Sequence, residues 1–204
     1  MLVEQAEFPR VKVCGECISP AAAGMLQTLL PPPVLETLGA RSAAAYVLEC
    51  GERTITWPTP RATLSLSRAA LDSALLEEAR RAGACIMQPA SVARVEYAEG
   101  GALLTLGDGR ILACGVVLHA DGSGRHDPRG AVGNRRGVIG CKCHIRMQAG
   151  GRGDSAKGLH HNLRAVHMRS APGAYIGVVG VEGRAGDVRL HGTLRAAGRR
   201  WRGS

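Results

Sequence analysis

The stretch from Leu112 to Arg125 places the strongest constraint on the fold. Its apolar run has the length of a β-strand and stops abruptly at Ala120-Asp121-Gly122, where an acid and a glycine favour a turn. A buried strand would carry the carboxylate of Asp121 to the edge of a sheet. In open α/β sheets, nucleotide cofactors bind at the carboxyl ends of the strands. The Asp-Gly pair is equally typical of an ordinary turn, so the stretch alone leaves both interpretations open.

Residues 67–83 form the clearest predicted helix. Ser67 is a suitable N-cap, apolar residues recur at helical spacing from Leu71, and Gly83 is a typical C-terminal stop. Arg68 lies in the first turn, where a cation opposes the helix dipole. This local misfit indicates either a functional position or simple surface exposure. A second helix is predicted from Ser19-Pro20 to Leu30.

Strands account for most of the remaining chain. A three-stranded meander is predicted at residues 92–97, 103–106 and 111–119. Two further strands, joined around Gly51, are predicted within residues 43–57. A second antiparallel sheet is predicted from residues 138–147, 163–168, 174–181 and 188–194. In its first strand, Lys142 and His144 alternate with Cys143, and they either point inward or lie on a solvated edge.

Four segments together resemble a known family of flavoproteins. They are Phe8-Pro-Arg-Val-Lys-Val-Cys-Gly-Glu16, the helix that begins at Ser67-Arg68, the Ala120-Asp121-Gly122 strand end and, more loosely, Gly140-Cys-Lys-Cys-His-Ile145. Their order and spacing are similar to those of FAD-dependent oxidoreductases of the aromatic-hydroxylase and geranylgeranyl-reductase type, the group A flavoprotein monooxygenases among them. The resemblance covers residues 2 to 195.

The resemblance implies an α/β (α+β) fold. In such a fold a partial FAD-binding, Rossmann-like domain is interleaved along the chain with an antiparallel β-sheet domain on the substrate side. The first domain is expected to comprise residues 1–42 and 58–128, and the second residues 43–57 and 129–195. We also expect a crossover at 123–137, a glycine-rich loop at 148–158 and a basic tail at 196–204.

The resemblance also implies FAD as the cofactor, with NAD(P)H as a candidate reductant. Glu4, at the end of a short strand, fits the acid that accepts hydrogen bonds from the adenosine ribose. The other implied cofactor-binding residues are Arg10, Lys12, Cys14, Gly15, Glu16, Arg68, Asp121 and Gly122. The loop residues among them equally suit a solvated basic loop.

Two segments of the family's pattern have no counterpart in this sequence. No Gly-x-Gly-x-x-Gly follows a strand, and no Gly-Asp segment follows the second sheet. Since the family holds the pyrophosphate and the ribityl chain with these segments, we expect a truncated form that binds flavin weakly or not at all by itself. Apolar surface left exposed where the first strand and helix would pack predicts self-association.

Charge is distributed unevenly along the chain. Residues 1–119 carry a net charge of −2, whereas residues 120–204 carry +11. An alternative function is therefore a non-catalytic basic protein that binds a polyanion through residues 120–204. Aromatic residues make up only 3% of the chain, which argues against nucleic acid as the partner, because such modules usually stack bases on aromatic side chains.

Seven cysteines without a secretion signal indicate reduced thiols and a cytoplasmic protein. Cys14 and Cys17 have the spacing of a redox or zinc motif, and Cys141, Cys143 and His144 form a second candidate. More than a hundred residues separate the two groups, unlike a compact zinc module, and we predict no metal site. No apolar run reaches the roughly 18 residues of a membrane span.

The resemblance implies an FAD-dependent oxidoreductase of the monooxygenase or isoprenoid-reductase type. Its substrate would be an aromatic or isoprenoid small molecule. Because the flavin carries the redox chemistry in such enzymes, no amino acid is assigned as catalytic.

Overall fold

The computed structural model describes residues 1–122, 138–146, 164–182 and 187–195 of the 204-residue chain. The predicted crossover at 123–137, loop at 148–158 and tail at 196–204 lie outside these residues. The described fold mixes three sheets with three helices, which confirms the predicted α/β class. Contacts divide the chain into two compact units. Unit 1 is Met1–Arg10 with Ala79–Arg136, and unit 2 is Val11–Glu78 with Gly137–Ser204.

The described elements follow one another along the chain in a β-rich order. They are β1 (Leu2–Val3), β2 (Cys17–Ile18), α1 (Pro20–Leu29), α2 (Val34–Thr37), β3 (Arg41–Cys50), β4 (Arg53–Ser65), α3 (Arg68–Arg81), β5 (Ile86–Met87), β6 (Val92–Ala98), β7 (Gly101–Leu106), β8 (Ile111–Cys114), β9 (Val138–Arg146), β10 (Ala165–Ala171), β11 (Ala174–Gly180) and β12 (Asp187–Arg195).

Unit 2 is built on a seven-stranded sheet with the order β2-β4-β3-β10-β11-β12-β9. Neighbouring strands pair antiparallel except β3 and β10, which run parallel. The turn between β3 and β4 contains Gly51, whose φ of +59° suits glycine. The two strands predicted within residues 43–57 are both present. They are longer than predicted, because pairing continues as far as Arg41 and Ser65. β9 forms one edge of the sheet.

Both long helices begin where the sequence predicts. The hydroxyl of Ser19 accepts a hydrogen bond from the Ala22 N–H (3.2 Å) at the start of α1. The hydroxyl of Ser67 accepts one from the Ala70 N–H (3.0 Å) at the start of α3. Gly83, with a φ of +91°, follows the end of α3. These caps satisfy amide groups that have no partner within the helix.

The core of unit 2 consists of two apolar clusters. One lies on the large sheet and is formed by Ala43, Val166, Val179 and Val181. The other packs α1 against β2 and the end of β4, through Ile18, Ala23 and Leu66. The chain that leads from β2 into α1 and from β4 into α3 is therefore held by close packing.

Unit 1 contains two small sheets. β1 and β5 pair in parallel, with Leu2 opposite Ile86. β6, β7 and β8 form an antiparallel meander, as predicted, up to Cys114. The prediction is wrong beyond that residue, since residues 115–119 belong to no strand.

The buried strand that was expected to lead into Asp121 is therefore corrected. Val116 and Leu118 are 76% and 88% exposed. An apolar segment becomes a buried strand only where a neighbour pairs with its backbone and a packed layer covers its side chains. In the described part of unit 1 no strand pairs with this segment. Self-association stays a prediction, with these two side chains as candidate contacts.

Candidate functional site

Unit 2 brings four of the predicted cofactor-binding residues into one ionic cluster. Lys12, Cys14 and Glu16 lie on residues 11–16, which we call segment 11–16, and Arg68 opens α3. Segment 11–16 belongs to no helix or strand. Its conformation therefore depends on side-chain contacts rather than on a regular hydrogen-bond ladder.

Glu16 is the centre of this cluster. Its side chain is only 1% exposed, and its φ of +56° is a left-handed conformation that non-glycine residues seldom adopt. The carboxylate accepts a hydrogen bond from the backbone N–H of Arg68 (3.0 Å). A negative charge at this position is favoured by the N-terminal end of the α3 dipole.

The cation that neutralises Glu16 comes from the edge strand β9. Lys142 is 3% exposed, and its ammonium group donates to Glu16 Oε1 and to the carbonyl oxygen of Lys12 (3.0 Å). His144 Nε2 lies 3.6 Å from Glu16 Oε2. Cys143, between them, is exposed. Lys142 therefore points inward as one interpretation predicted, whereas His144, whose side chain is 33% exposed, lies on the edge strand in contact with solvent.

A second, more accessible ion pair lies beside the first. Asp72 accepts hydrogen bonds from Arg68 Nε (2.8 Å) and Nη2 (2.9 Å), and it pairs with Lys12 Nζ (2.8 Å). Burial disfavours the charged form of Asp72, but hydrogen bonds from Arg68 and then Lys12 outweigh it and lower the pKa of the carboxyl. The hydrogen bond to Asp72 raises the pKa of Arg68. This i,i+4 pair accounts for a cation in the first turn of α3.

Two of the residues in this cluster were not predicted from the sequence. Asp72 could have been found, because it lies one helical turn after Arg68. Glu182 could not, since it lies beyond β11, and only the fold brings its carboxylate to the Ser67 N–H (2.7 Å). The amino end of α3 thus carries carboxylates from two distant parts of unit 2.

The thiols of Cys14 and Cys17 lie next to the cluster. Cys14 Sγ accepts a hydrogen bond from the Glu16 N–H (3.4 Å), and it also interacts with Arg68. Desolvation, followed by the nearby Cys14 and Glu16, raises the pKa of Cys17 to about 11. Among the described residues, no three His, Cys, Asp or Glu side chains gather as a metal ion would require.

The backbone of segment 11–16 presents hydrogen-bond donors. Val11 and Val13 are 65% and 63% exposed, so the segment lies at the surface of unit 2. Within the described chain, the N–H groups of Val13, Cys14 and Gly15 have no hydrogen-bond acceptor. Its charged side chains are held by protein partners, and its main chain is what remains available to a ligand.

Unit 1 holds the remaining predicted residues. Glu4 directly follows β1, and its carboxylate accepts a hydrogen bond from the Ala6 N–H (3.0 Å) and lies 3.6 Å from Arg10 Nη2. The Arg10 guanidinium also lies over the ring of Phe8, 5.8 Å from its centroid. Asp121 and Gly122 are exposed, and Gly122 has a φ of +89°. Asp121 therefore ends an exposed segment rather than a strand.

Solved protein structures share this fold. FqzB superposes with a TM-score of 0.78 at 17% identity, over 100% of this chain and 50% of that one. A flavoprotein/dehydrogenase from Cytophaga hutchinsonii gives 0.69 at 18% identity, over 95% and 49%. The halogenase PltM, in complex with phloroglucinol and FAD, gives 0.75 at 12% identity, over 99% and 48%. At such identities the likeness concerns the fold, and the chain spans about half the length of each.

The sequence itself is similar to part of a curated protein. A menaquinone reductase of Mycolicibacterium smegmatis is 30% identical over 128 residues, which are 60% of this chain and 31% of that protein. No protein-family profile matches the chain. None of the helices in the described ranges is long and apolar enough to cross a membrane.

Proposed function

We propose that this chain is part of an FAD-dependent oxidoreductase and that segment 11–16 contacts the flavin ring. The observation that carries the proposal is that the N–H groups of Val13, Cys14 and Gly15 have no acceptor among the described residues, while the charged side chains of Lys12 and Glu16 are bound internally. The fold shared with an FAD-bound halogenase and a flavoprotein/dehydrogenase supports the same assignment.

The donor set of segment 11–16 fits an isoalloxazine ring. The ring is flat and carries carbonyl oxygens and nitrogens that accept hydrogen bonds, which the N–H groups of Val13, Cys14 and Gly15 can donate. Gly15 has no side chain, so a flat ligand can approach its backbone closely. The side chains of Lys12, Glu16 and Arg68, by contrast, act through the internal ion pairs and fix the segment.

In unit 1, Glu4 is the residue we assign to the adenosine ribose. It follows a parallel strand, and a carboxylate at such a strand end accepts hydrogen bonds from ribose hydroxyls. The 3.6 Å separation from Arg10 leaves Glu4 only a loose ion pair, so a hydroxyl group can bind there at little cost. Arg10 is a candidate partner for phosphate oxygens.

The bound flavin would supply the redox chemistry, in a hydroxylation or in the reduction of an isoprenoid double bond, with NAD(P)H as the candidate reductant. The substrate we propose is an aromatic or isoprenoid small molecule. The large sheet of unit 2 offers a suitable apolar surface, because Tyr46 and Trp57 stack with their ring centroids 5.7 Å apart and Trp57 is 41% exposed.

Titration with three ligands tests the assignment piece by piece. Riboflavin probes the ring contacts, adenosine the ribose contacts, and FAD both, each followed by fluorescence or calorimetry up to 1 mM and by thermal stability. We expect saturable but weak binding of riboflavin and FAD, on the order of 10–100 μM: riboflavin has only ring and ribityl contacts to make, and the sequence contains no glycine-rich turn to hold the pyrophosphate of FAD. A folded chain that binds none of the three would refute the proposal.

A matched pair of variants locates the ribose contact. Glu4→Ala should weaken adenosine and FAD binding by about tenfold and leave riboflavin binding unchanged, because it removes an acceptor of two hydroxyl groups. Glu7→Ala removes an exposed acid three residues away and should change none of the three affinities. Equal effects of the two substitutions would show that only the net charge matters.

A further inference from the structure

Segment 11–16 is fixed mainly through its side chains and its two ends. The carbonyl oxygen of Glu16 accepts a hydrogen bond from the Leu66 N–H (3.1 Å), next to the start of α3. The side chain of Lys12 is held by Asp72. Between these points the segment has no regular hydrogen bonding of its own, so its shape depends on the groups that lie beneath it.

Lys142 contacts the segment at both ends. Its ammonium group bonds to the main-chain oxygen of Lys12 and to the carboxylate of Glu16, four residues apart. Lys142 lies on β9, and the backbone of β9 pairs with β12 rather than with segment 11–16. A buried cation on β9 thus bridges the two ends of the segment.

We propose that Lys142 is a positioning residue that holds segment 11–16 in the conformation in which its N–H groups are presented to a ligand. This inference rests on the proposed function of the segment. The Asp72 pairs cannot replace Lys142, because they hold the Lys12 side chain, whereas Lys142 bonds the Lys12 carbonyl oxygen and the Glu16 carboxylate. Without Lys142, the left-handed turn at Glu16 would also lose a charged group that keeps its carboxylate in place.

Limited proteolysis of the flavin-free protein tests the positioning directly. Trypsin needs several residues of unfolded chain, so cleavage after Lys12 reports on the opening of this segment. Lys142→Met should accelerate that cleavage, measured by mass spectrometry, at least about tenfold more than it accelerates cleavage at other Lys and Arg sites of unit 2, which report the loss of global stability. Arg169→Met removes a cation from the same sheet at an exposed pair with Glu49 and should leave the rate unchanged. An unchanged rate in Lys142→Met overturns the proposal.

Riboflavin affinity is measured in parallel at a temperature at which both proteins are fully folded by circular dichroism. Under that condition a loss of global stability alone does not change the affinity. We expect Lys142→Met to bind riboflavin at least about tenfold more weakly. Faster cleavage with unchanged affinity would overturn the role in ligand presentation. If Lys142→Met fails to fold, Lys142→Gln, which keeps a donor but no charge, takes its place with the same expected direction.

The two arms separate this inference from the proposed function. A wild-type chain that binds no flavin refutes the flavin assignment, and the cleavage rates still decide whether Lys142 fixes the segment. If the wild-type chain and Lys142→Met bind riboflavin equally well, the flavin assignment stands, but Lys142 has no part in presenting the segment to the ligand.

Discussion

Breaking the buried Glu16–Lys142 pair should strongly destabilise unit 2. With Lys142→Met, a carboxylate that is 1% exposed keeps the Arg68 N–H and a 3.6 Å approach to His144 but loses its closest cation. Removing one partner of a buried pair costs about 3–5 kcal/mol. We expect the low end, about 3 kcal/mol, because the other two contacts remain. For a chain of this length that is a fall in Tm of about 6–12 °C.

A double-mutant cycle isolates the pair. Glu16→Gln alone leaves the buried ammonium group of Lys142 without its carboxylate, and it should lower the free energy of unfolding by a similar amount. The double variant Glu16→Gln with Lys142→Met leaves no unpaired charge and keeps an amide oxygen for the Arg68 N–H, so it should recover about 2–3 kcal/mol relative to the sum of the single effects. Urea unfolding is followed by the fluorescence of Trp57, which lies in unit 2, on a Trp201→Phe background.

The Glu49–Arg169 pair provides the control. It joins the same sheet between β3 and β10, but its atoms lie 3.8 Å apart and both side chains are largely accessible to solvent. Its coupling energy should not exceed about 0.5 kcal/mol. If the Glu16–Lys142 cycle gives a coupling equally small, or if the double variant loses as much as the two single variants together, the reasoning from burial is refuted.

Two further predictions follow from shifted pKa values. Because the pKa of Cys17 is raised to about 11, its thiolate fraction at pH 8 is about 100-fold below that of an ordinary thiol. Cys17 and Cys50 are both exposed, so iodoacetamide should label Cys17 far more slowly because of its low thiolate fraction, and equal rates by mass spectrometry would contradict this. Asp72 has a lowered pKa, so its contribution to stability is present above the ordinary carboxyl range and is lost as the pH falls through the folded value. Asp72→Asn should lower the free energy of unfolding by about 1–2 kcal/mol at pH 5 and at pH 7. The stability difference between the wild type and the variant should shrink below about pH 4. A stability difference that grows on acidification would show that another group is responsible.

The sequence by itself determined the elements whose signals are local. Ser19 and Ser67 cap the helices they were predicted to cap, because a cap needs only a hydroxyl group and the amides two or three residues beyond it. The alternation in β9 likewise limits Lys142 and His144 to a single face, since successive side chains of a strand point to opposite sides. The α/β class was implied by the resemblance of four short segments to a flavoprotein family.

The tertiary structure alone decided what those side chains contact. Glu16 and Lys142 are 126 residues apart, and no pattern in either segment names the other as its partner. The apolar run at 115–119 has the composition of a buried strand but lies exposed among the described residues, because burial depends on a neighbouring strand and not on the run itself. Local chemistry thus fixed the helix caps and the strand alternation, whereas the Glu16–Lys142 pair exists only because the sheet brings two distant charges together in a space nearly closed to water.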